Sequence, residues 1–239
     1  MIGVYDSRQP QARRLARSLR PAVPVLSLQT LVRRSDLLIE AASAEAVGQL
    51  LPLVIRHRRA TLVLSTGGLL RRPELLRRAA RNATPLHLPS GALAGLDGIK
   101  AAAAGRLRSV TLTTRKAPRS LAGAPGILRS KIRLESLRRP TVVFNGSAAR
   151  AAREFPQNIN VAATLALAGI GPVRTRVKII ADPGLRTNIH EVEAVGDFGK
   201  LTARTENRPS PENPKSSLLA VQSALAALRQ ILSPLKVGT

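Results

Sequence analysis

Asn188-Ile189-His190 carries the sharpest chemical signal in the chain. On a β-strand successive side chains alternate between faces, so residues 188 and 190 point into one space and bring an amide beside an imidazole. Histidine is the side chain that takes and returns protons most readily near neutral pH, which makes His190 a candidate general base and Asn188 a candidate substrate contact. The other two histidines suit other roles. His57 sits in Arg56-His57-Arg58-Arg59 and reads as solvated, and His87 lies in an apolar strand and reads as core. With three His and no Cys, disulfide frameworks and thiol catalysis are excluded and no metal site is expected.

Asp6 closes a short strand and precedes a helix, the place where a nucleotide-binding α/β fold uses a carboxylate to accept ribose hydroxyls. A turn or helix-cap role suits it equally well. The ribose reading normally puts a glycine-rich phosphate loop ~20 residues earlier. Five residues precede Asp6 here, so that strand and loop are expected to be missing from this chain. Glu40-Ala-Ala-Ser43 and Ser65-Thr-Gly-Gly68 follow strands with small residues that let a ligand approach the backbone, although turn chemistry accounts for each alone. The run from Pro89 to Gly98 packs three Gly and two Ala into ten residues at the entry to a helix, more than a plain connection needs.

The elements that must position these residues follow from periodicity. In the first ~105 residues short apolar runs alternate with helical stretches. Strands are expected at Ile2–Tyr5, Val23–Leu26, Asp36–Glu40, Thr61–Ser65 and Leu86–Leu88, and helices at Gln11–Leu19, Ala44–Arg58 and Pro73–Arg81. That alternation builds βαβ units and a parallel sheet. After a helix near Ala94–Ala104 the pattern turns to a mixed sheet: Ser109–Thr114, Thr141–Asn145, Arg176–Ala181, Asn188–Val195 and Lys200–Thr205, the last two joined across Gly196-Asp-Phe-Gly199. Val161–Ala168 and Ser217–Leu232 read as buried helices, with Asn213-Pro214 as N-cap and first-turn proline of the second.

The formal net charge is +24, from 38 basic and 14 acidic residues. Such a balance raises nucleic acid as a partner. The basic residues fall as pairs on helices, such as Arg13-Arg14 and Arg77-Arg78, and the four aromatics (2%) are too few for a base-stacking platform. A solvated basic surface is the expectation. No apolar stretch nears the ~20 residues needed to span a bilayer, and a cytoplasmic protein without a membrane partner is expected.

Eight segments together resemble the L-aspartate dehydrogenases that feed NAD biosynthesis. They are Val4-Tyr-Asp6, Glu40-Ala-Ala-Ser43, Pro89 to Asp97, Thr113-Thr-Arg-Lys116, Phe155 to Thr164, Ala181-Asp-Pro183, Asn188-Ile-His190 and Glu206 to Ser217. The resemblance covers nearly the whole chain. It departs at Asn145 to Ala151, where relatives tend to carry acidic residues, and in the many arginines on helix surfaces. It implies an α/β fold: a Rossmann-type parallel sheet, lacking its first strand, over residues 1–105, and an α+β catalytic and dimerisation domain with a mixed sheet over 106–217. A C-terminal helix over 218–239 would pack back on the body.

The implied reaction is NAD(P)-dependent oxidation of L-aspartate to iminoaspartate, then oxaloacetate and ammonia, by a homodimer. The cofactor is NAD or NADP: Asp6 favours the first, and Arg8 beside it tolerates a 2′-phosphate. The resemblance makes His190 the catalytic residue and Asp6, Ala94 and Asn160 the cofactor contacts. The substrate dianion needs cations, for which Lys215 and Arg115 are candidates by chemistry. Two other readings stay open, an N-terminally truncated and impaired relative of these enzymes, and a basic polyanion-binding protein.

Overall fold

The structure, a computed structural model, describes residues 1–213 and 216–238. The expectations for Pro214 and Lys215 lie outside the described residues. The chain divides into two compact units, Met1–His87 and Leu88–Thr239.

In the first unit, α1 (Gln9–Ser18), α2 (Leu28–Arg34), α3 (Ala44–His57), α4 (Gly67–Leu70) and α5 (Pro73–Arg81) accompany three parallel strands. These are β1 (Leu37–Glu40), β2 (Ala60–Val63) and β3 (Leu86–His87), in the order β1-β2-β3. The two expected strands at the start reduce to one parallel bridge, Val4 with Val25, because only Val4 N–H to Pro24 and Leu26 N–H to Val4 close between them. Helix α3 shows why the segment folds as it does. Ser43 Oγ accepts the Ala46 N–H at its start, Glu45 complements the first-turn dipole, and Val47, Leu50, Leu51, Val54 and Ile55 bury one stripe. Leu50 and Val54 meet Val32 of α2 and Leu38 of β1 in the core. Gly68 lies against the start of α3 so closely that a Cβ would stand 2.8 Å from the Ala44 carbonyl oxygen and 2.9 Å from its Cα.

The second unit holds β4 (Leu107–Lys116), β5 (Thr141–Ser147), β6 (Arg176–Ala181), β7 (Asn188–Gly196) and β8 (Gly199–Asn207), in the order β5-β6-β4-β7-β8. Only β4 and β6 run parallel; the other neighbours are antiparallel, as the mixed-sheet expectation requires. Around the sheet are α6 (Leu96–Ala103), α7 (Pro125–Ser130), α8 (Ala148–Glu154), α9 (Asn160–Ala168) and α10 (Leu218–Leu232). Phe144 of β5 meets Phe155 after α8 edge to face at 5.4 Å, with the Arg150 guanidinium over the Phe144 ring.

Three expectations change. The loop from Leu88 and the helix after it belong to the second unit, not to a first domain ending at 105, because α6 packs on α9 and Gly98 lies against Leu201 of β8. Helix α10 has no fully buried residue: Ala224 and Leu228 are half-buried, while Leu218, Leu219, Val221, Leu225 and Leu232 are exposed rather than core. Its N-cap is Ser217, the last residue with extended backbone, not Asn213. Gly68→Ala forces the α3–α4 approach apart and lowers stability by about 1–3 kcal/mol, read as a lower urea midpoint at unchanged slope.

Candidate active site

Thr114 on β4, His190 on β7 and Thr205 on β8 stand side by side in register across three strands. Directly opposed residues share a face, so their side chains form one row. Toward the interior the next row on that face is apolar: Leu112, Val192 and Ala203. Toward the end of the sheet the period of two brings Lys116, Asn188 and Asn207 to the same face. The core therefore passes into a polar row at one end of the sheet.

His190 is 4% exposed. Its Nδ1 shares a hydrogen bond with Thr114 Oγ1 at 3.0 Å, which orients the ring, while Nε2 has no hydrogen-bond partner among the described residues. Burial first, and then the positive charge of Lys116, push the imidazole from its ordinary 6.5 down to about 3. Burial lowers the Lys116 ammonium from 10.5 to about 8. At neutral pH the ring is therefore neutral and the amine predominantly charged. The expectation of a base poised near neutrality is corrected: the imidazole is too deeply buried for that.

The glycine-rich loop lies along the same face. The Ala92 carbonyl accepts the Thr205 hydroxyl at 2.9 Å and the Asn207 amide at 3.1 Å. Gly91 has φ +68° with open space where a Cβ would stand, and Gly95 has φ +79° with a Cβ position 2.8 Å from Ala203 Cβ. Ala94 is half-buried between them, and Asn160 is exposed at the first turn of α9. Asn207 Nδ2 is directed at Ala92 O and Thr205 Oγ1, which leaves its buried Oδ1 without a partner among the described residues. An acceptor of that kind suits a donor carried by a ligand, such as a carboxamide or an ammonium.

In the first unit, Asp6 Oδ1 accepts the Arg8 N–H at 2.8 Å, with the Arg8 guanidinium 3.9 Å away and both side chains open to solvent. The other carboxylate oxygen remains for a ligand's hydroxyls. Glu40 behaves differently: it is 4% exposed, and its two oxygens accept the N–H groups of Ala42 at 2.8 Å and Ser65 at 2.9 Å. It ties the end of β1 to the turn after β2, where ligands bind in parallel α/β sheets. The residues present thus fit a dinucleotide: Asp6 keeps one carboxylate oxygen uncommitted, and Glu40 braces the loops at the strand ends.

Asn188 and His190 do share a face, as their spacing requires. Arg115 does not join them, because it is odd-numbered on β4 beside Thr114 and pairs with Ile189 on the opposite face. Sequence reasoning missed Thr114, Lys116, Thr205 and Asn207. Thr114, Lys116 and Asn207 lie in segments that carried the resemblance but were given no role, and their alternation along the strands takes on meaning only once the strand pairing is known. Among the described residues no group of three His, Asp or Glu could hold a metal ion, and no helix is long and apolar enough to cross a membrane.

Residues 97–231 match the family model for the C-terminal domain of aspartate dehydrogenase, and residues 1–89 match the NAD-binding domain of homoserine dehydrogenase. The chain is 46% identical to the L-aspartate dehydrogenase of Methanosarcina barkeri, over 100% of this chain and 90% of that protein. It is 42% identical to L-aspartate dehydrogenase 3 of Bordetella bronchiseptica, over 93% of this chain and 81% of that one. Among solved structures, aspartate dehydrogenase from Thermotoga maritima superposes with a TM-score of 0.77 at 27% identity, covering 99% of this chain and 89% of the other.

Two predictions follow from the site's buried groups. Glu40→Ala leaves two backbone N–H groups unpaired and costs on the order of 2–4 kcal/mol, seen as a lower denaturation midpoint. For His190 the depressed folded pKa sets the sign. Between pH 6.5 and about 3 the unfolded chain binds a proton that the folded ring refuses, so stability is full above 6.5 and falls as pH drops through that window. The full loss is on the order of 5 kcal/mol. Urea titrations at pH 7 and pH 4 should show a smaller difference for His190→Asn than for the parent.

Proposed function

The chain belongs to the L-aspartate dehydrogenase family, and we propose which of its own residues carry the reaction. The activity is NAD(P)-dependent oxidation of L-aspartate at its amine-bearing carbon, giving iminoaspartate that water converts to oxaloacetate and ammonia. When bound, NAD(P)⁺ supplies the hydride acceptor. In this reading Asp6 takes the adenosine ribose through its uncommitted oxygen, while Ala94 and Asn160 contact the cofactor. Arg8, exposed beside Asp6, gives the protein a counter-charge for a 2′-phosphate, so NAD and NADP are both accommodated.

The observation that carries the catalytic reading is the buried neutral imidazole of His190, held at Nδ1 by Thr114 with Nε2 unpartnered among the described residues. Hydride leaves the α-carbon only as the amine lone pair forms the C=N bond, so the substrate ammonium must first lose a proton. His190 Nε2 accepts it. The substrate's two carboxylates favour the protonated ring as they approach and lift it from its low value. That proton passes to solvent. The same nitrogen then accepts a proton from the water adding to the imine carbon and returns it to the nitrogen of the resulting carbinolamine. That nitrogen leaves as ammonia while the C=O bond forms and the hydroxyl proton passes to solvent. Asn188, on the same face, is the proposed amide contact to substrate; Lys215 remains a second candidate by chemistry.

The reading includes a homodimer, a cytoplasmic place of action and a role in supplying NAD biosynthesis. The dimer is supported by α10, a 15-residue helix without a buried residue, whose Leu218, Val221, Leu225 and Leu232 are 37–71% exposed along one stripe. The +24 charge is read as a solvated surface rather than a nucleic-acid site.

The test is NADH consumption by the purified chain with oxaloacetate and ammonium, beside L-aspartate with NAD⁺. His190→Ala should lower kcat by roughly 10²–10⁴-fold while NADH binding and the melting transition persist. Parent-like turnover in that variant removes His190 from the mechanism.

A further inference from the structure

Lys116 ends β4 on the face that carries Thr114, two residues nearer the polar end of the sheet. Because Thr114 stands directly opposite His190, Lys116 is the diagonal neighbour of the imidazole across the β4–β7 pair, about 7–8 Å backbone to backbone, within reach of a long side chain. Its charge is felt at His190, and its own ammonium is partly withdrawn from water. The residues that share this face on β4, β6, β7 and β8 include no carboxylate. Glu191, Glu193 and Glu206 alternate to the other face, and Arg108 stands at the far end. Among the described strand residues the polar end of the face therefore brings Lys116 together with hydroxyls, amides and a neutral ring, an environment complementary to an anion.

We propose that Lys116 receives a carboxylate of the substrate and thereby selects a dicarboxylate for the position beside His190. The inference rests on the reading that His190 works on the substrate amine, and it deepens it. A carboxylate on Lys116 offsets the field that this lysine exerts on His190, so binding the substrate also makes the base more basic. Substrate recognition and proton acceptance are then coupled through one charge.

Lys116→Met and Lys116→Arg test this in the full chain. A charge-assisted hydrogen bond to a carboxylate corresponds to roughly 10- to 100-fold in affinity. Lys116→Met should raise the KM for oxaloacetate by that factor and leave the KM for ammonium unchanged, and Lys116→Arg should restore most of the loss. A second readout needs no turnover. Calorimetry with succinate, a redox-inert four-carbon dicarboxylate, should show the same loss in Lys116→Met, and NMR titration should show His190 protonating at higher pH than in the parent. Succinate binding that keeps its dependence on Lys116 in a His190→Ala background separates this proposal from the fate of the catalytic reading. An unchanged oxaloacetate KM, or succinate affinity equal to that of the parent in Lys116→Met, overturns it.

Discussion

The pairing register of β4, β7 and β8 is the constraint on which the site depends. Thr114 opposes His190, and His190 opposes Thr205, because the backbone ladder closes in that register and in no other. A slip of one residue would turn His190 to the outer face and bring Ile189 inward. The apolar rows beneath, Leu112 with Val192 and Ala203, oppose such a slip because it would exchange buried side chains for polar ones. The chemistry of the imidazole is thus held in place by ordinary core packing a few residues away.

Burial at the end of that ladder sets the electrostatics. A histidine on the surface would share its proton with solvent near neutrality. Enclosed in the sheet beside a lysine, His190 stays neutral far into the acid range. That makes it a weak base by itself, and under the proposed mechanism the two carboxylates of the substrate would supply the missing basicity as they approach. The same burial costs stability at low pH, because the unfolded chain takes up the proton that the folded ring refuses.

Around this centre the backbone is anchored by side chains rather than by more sheet. Asn207 and Thr205 hold the Ala92 carbonyl and so fasten the glycine-rich loop along β8. Glu40 plays a similar part in the first unit, spanning the ends of two parallel strands with two charge-assisted bonds. In both cases a polar residue beside a ligand-binding region serves the loop's shape. Its removal would then show up as a change in stability as well as in affinity.

Periodicity and turn chemistry in the sequence by themselves determined the order of the sheet strands along the chain, the longer helices between them, the parallel and mixed sheets, the Gly196–Gly199 hairpin, and the shared face of Asn188 and His190. Each of these is a local property: alternation, helical spacing or a turn needing glycine. The short helices α4, α7 and α8 were not legible. The tertiary structure alone decided which strands lie beside β7. For that reason Thr114, Lys116, Thr205 and Asn207 were illegible as site residues, and Arg115 looked as suitable as its neighbour. It also decided that part of α10's apolar surface stays exposed, since an apolar stripe reads the same in sequence whether or not the body of the protein covers it. Side-chain identity travels with the sequence, whereas register, burial and the field of a neighbouring charge exist only once distant segments have packed together.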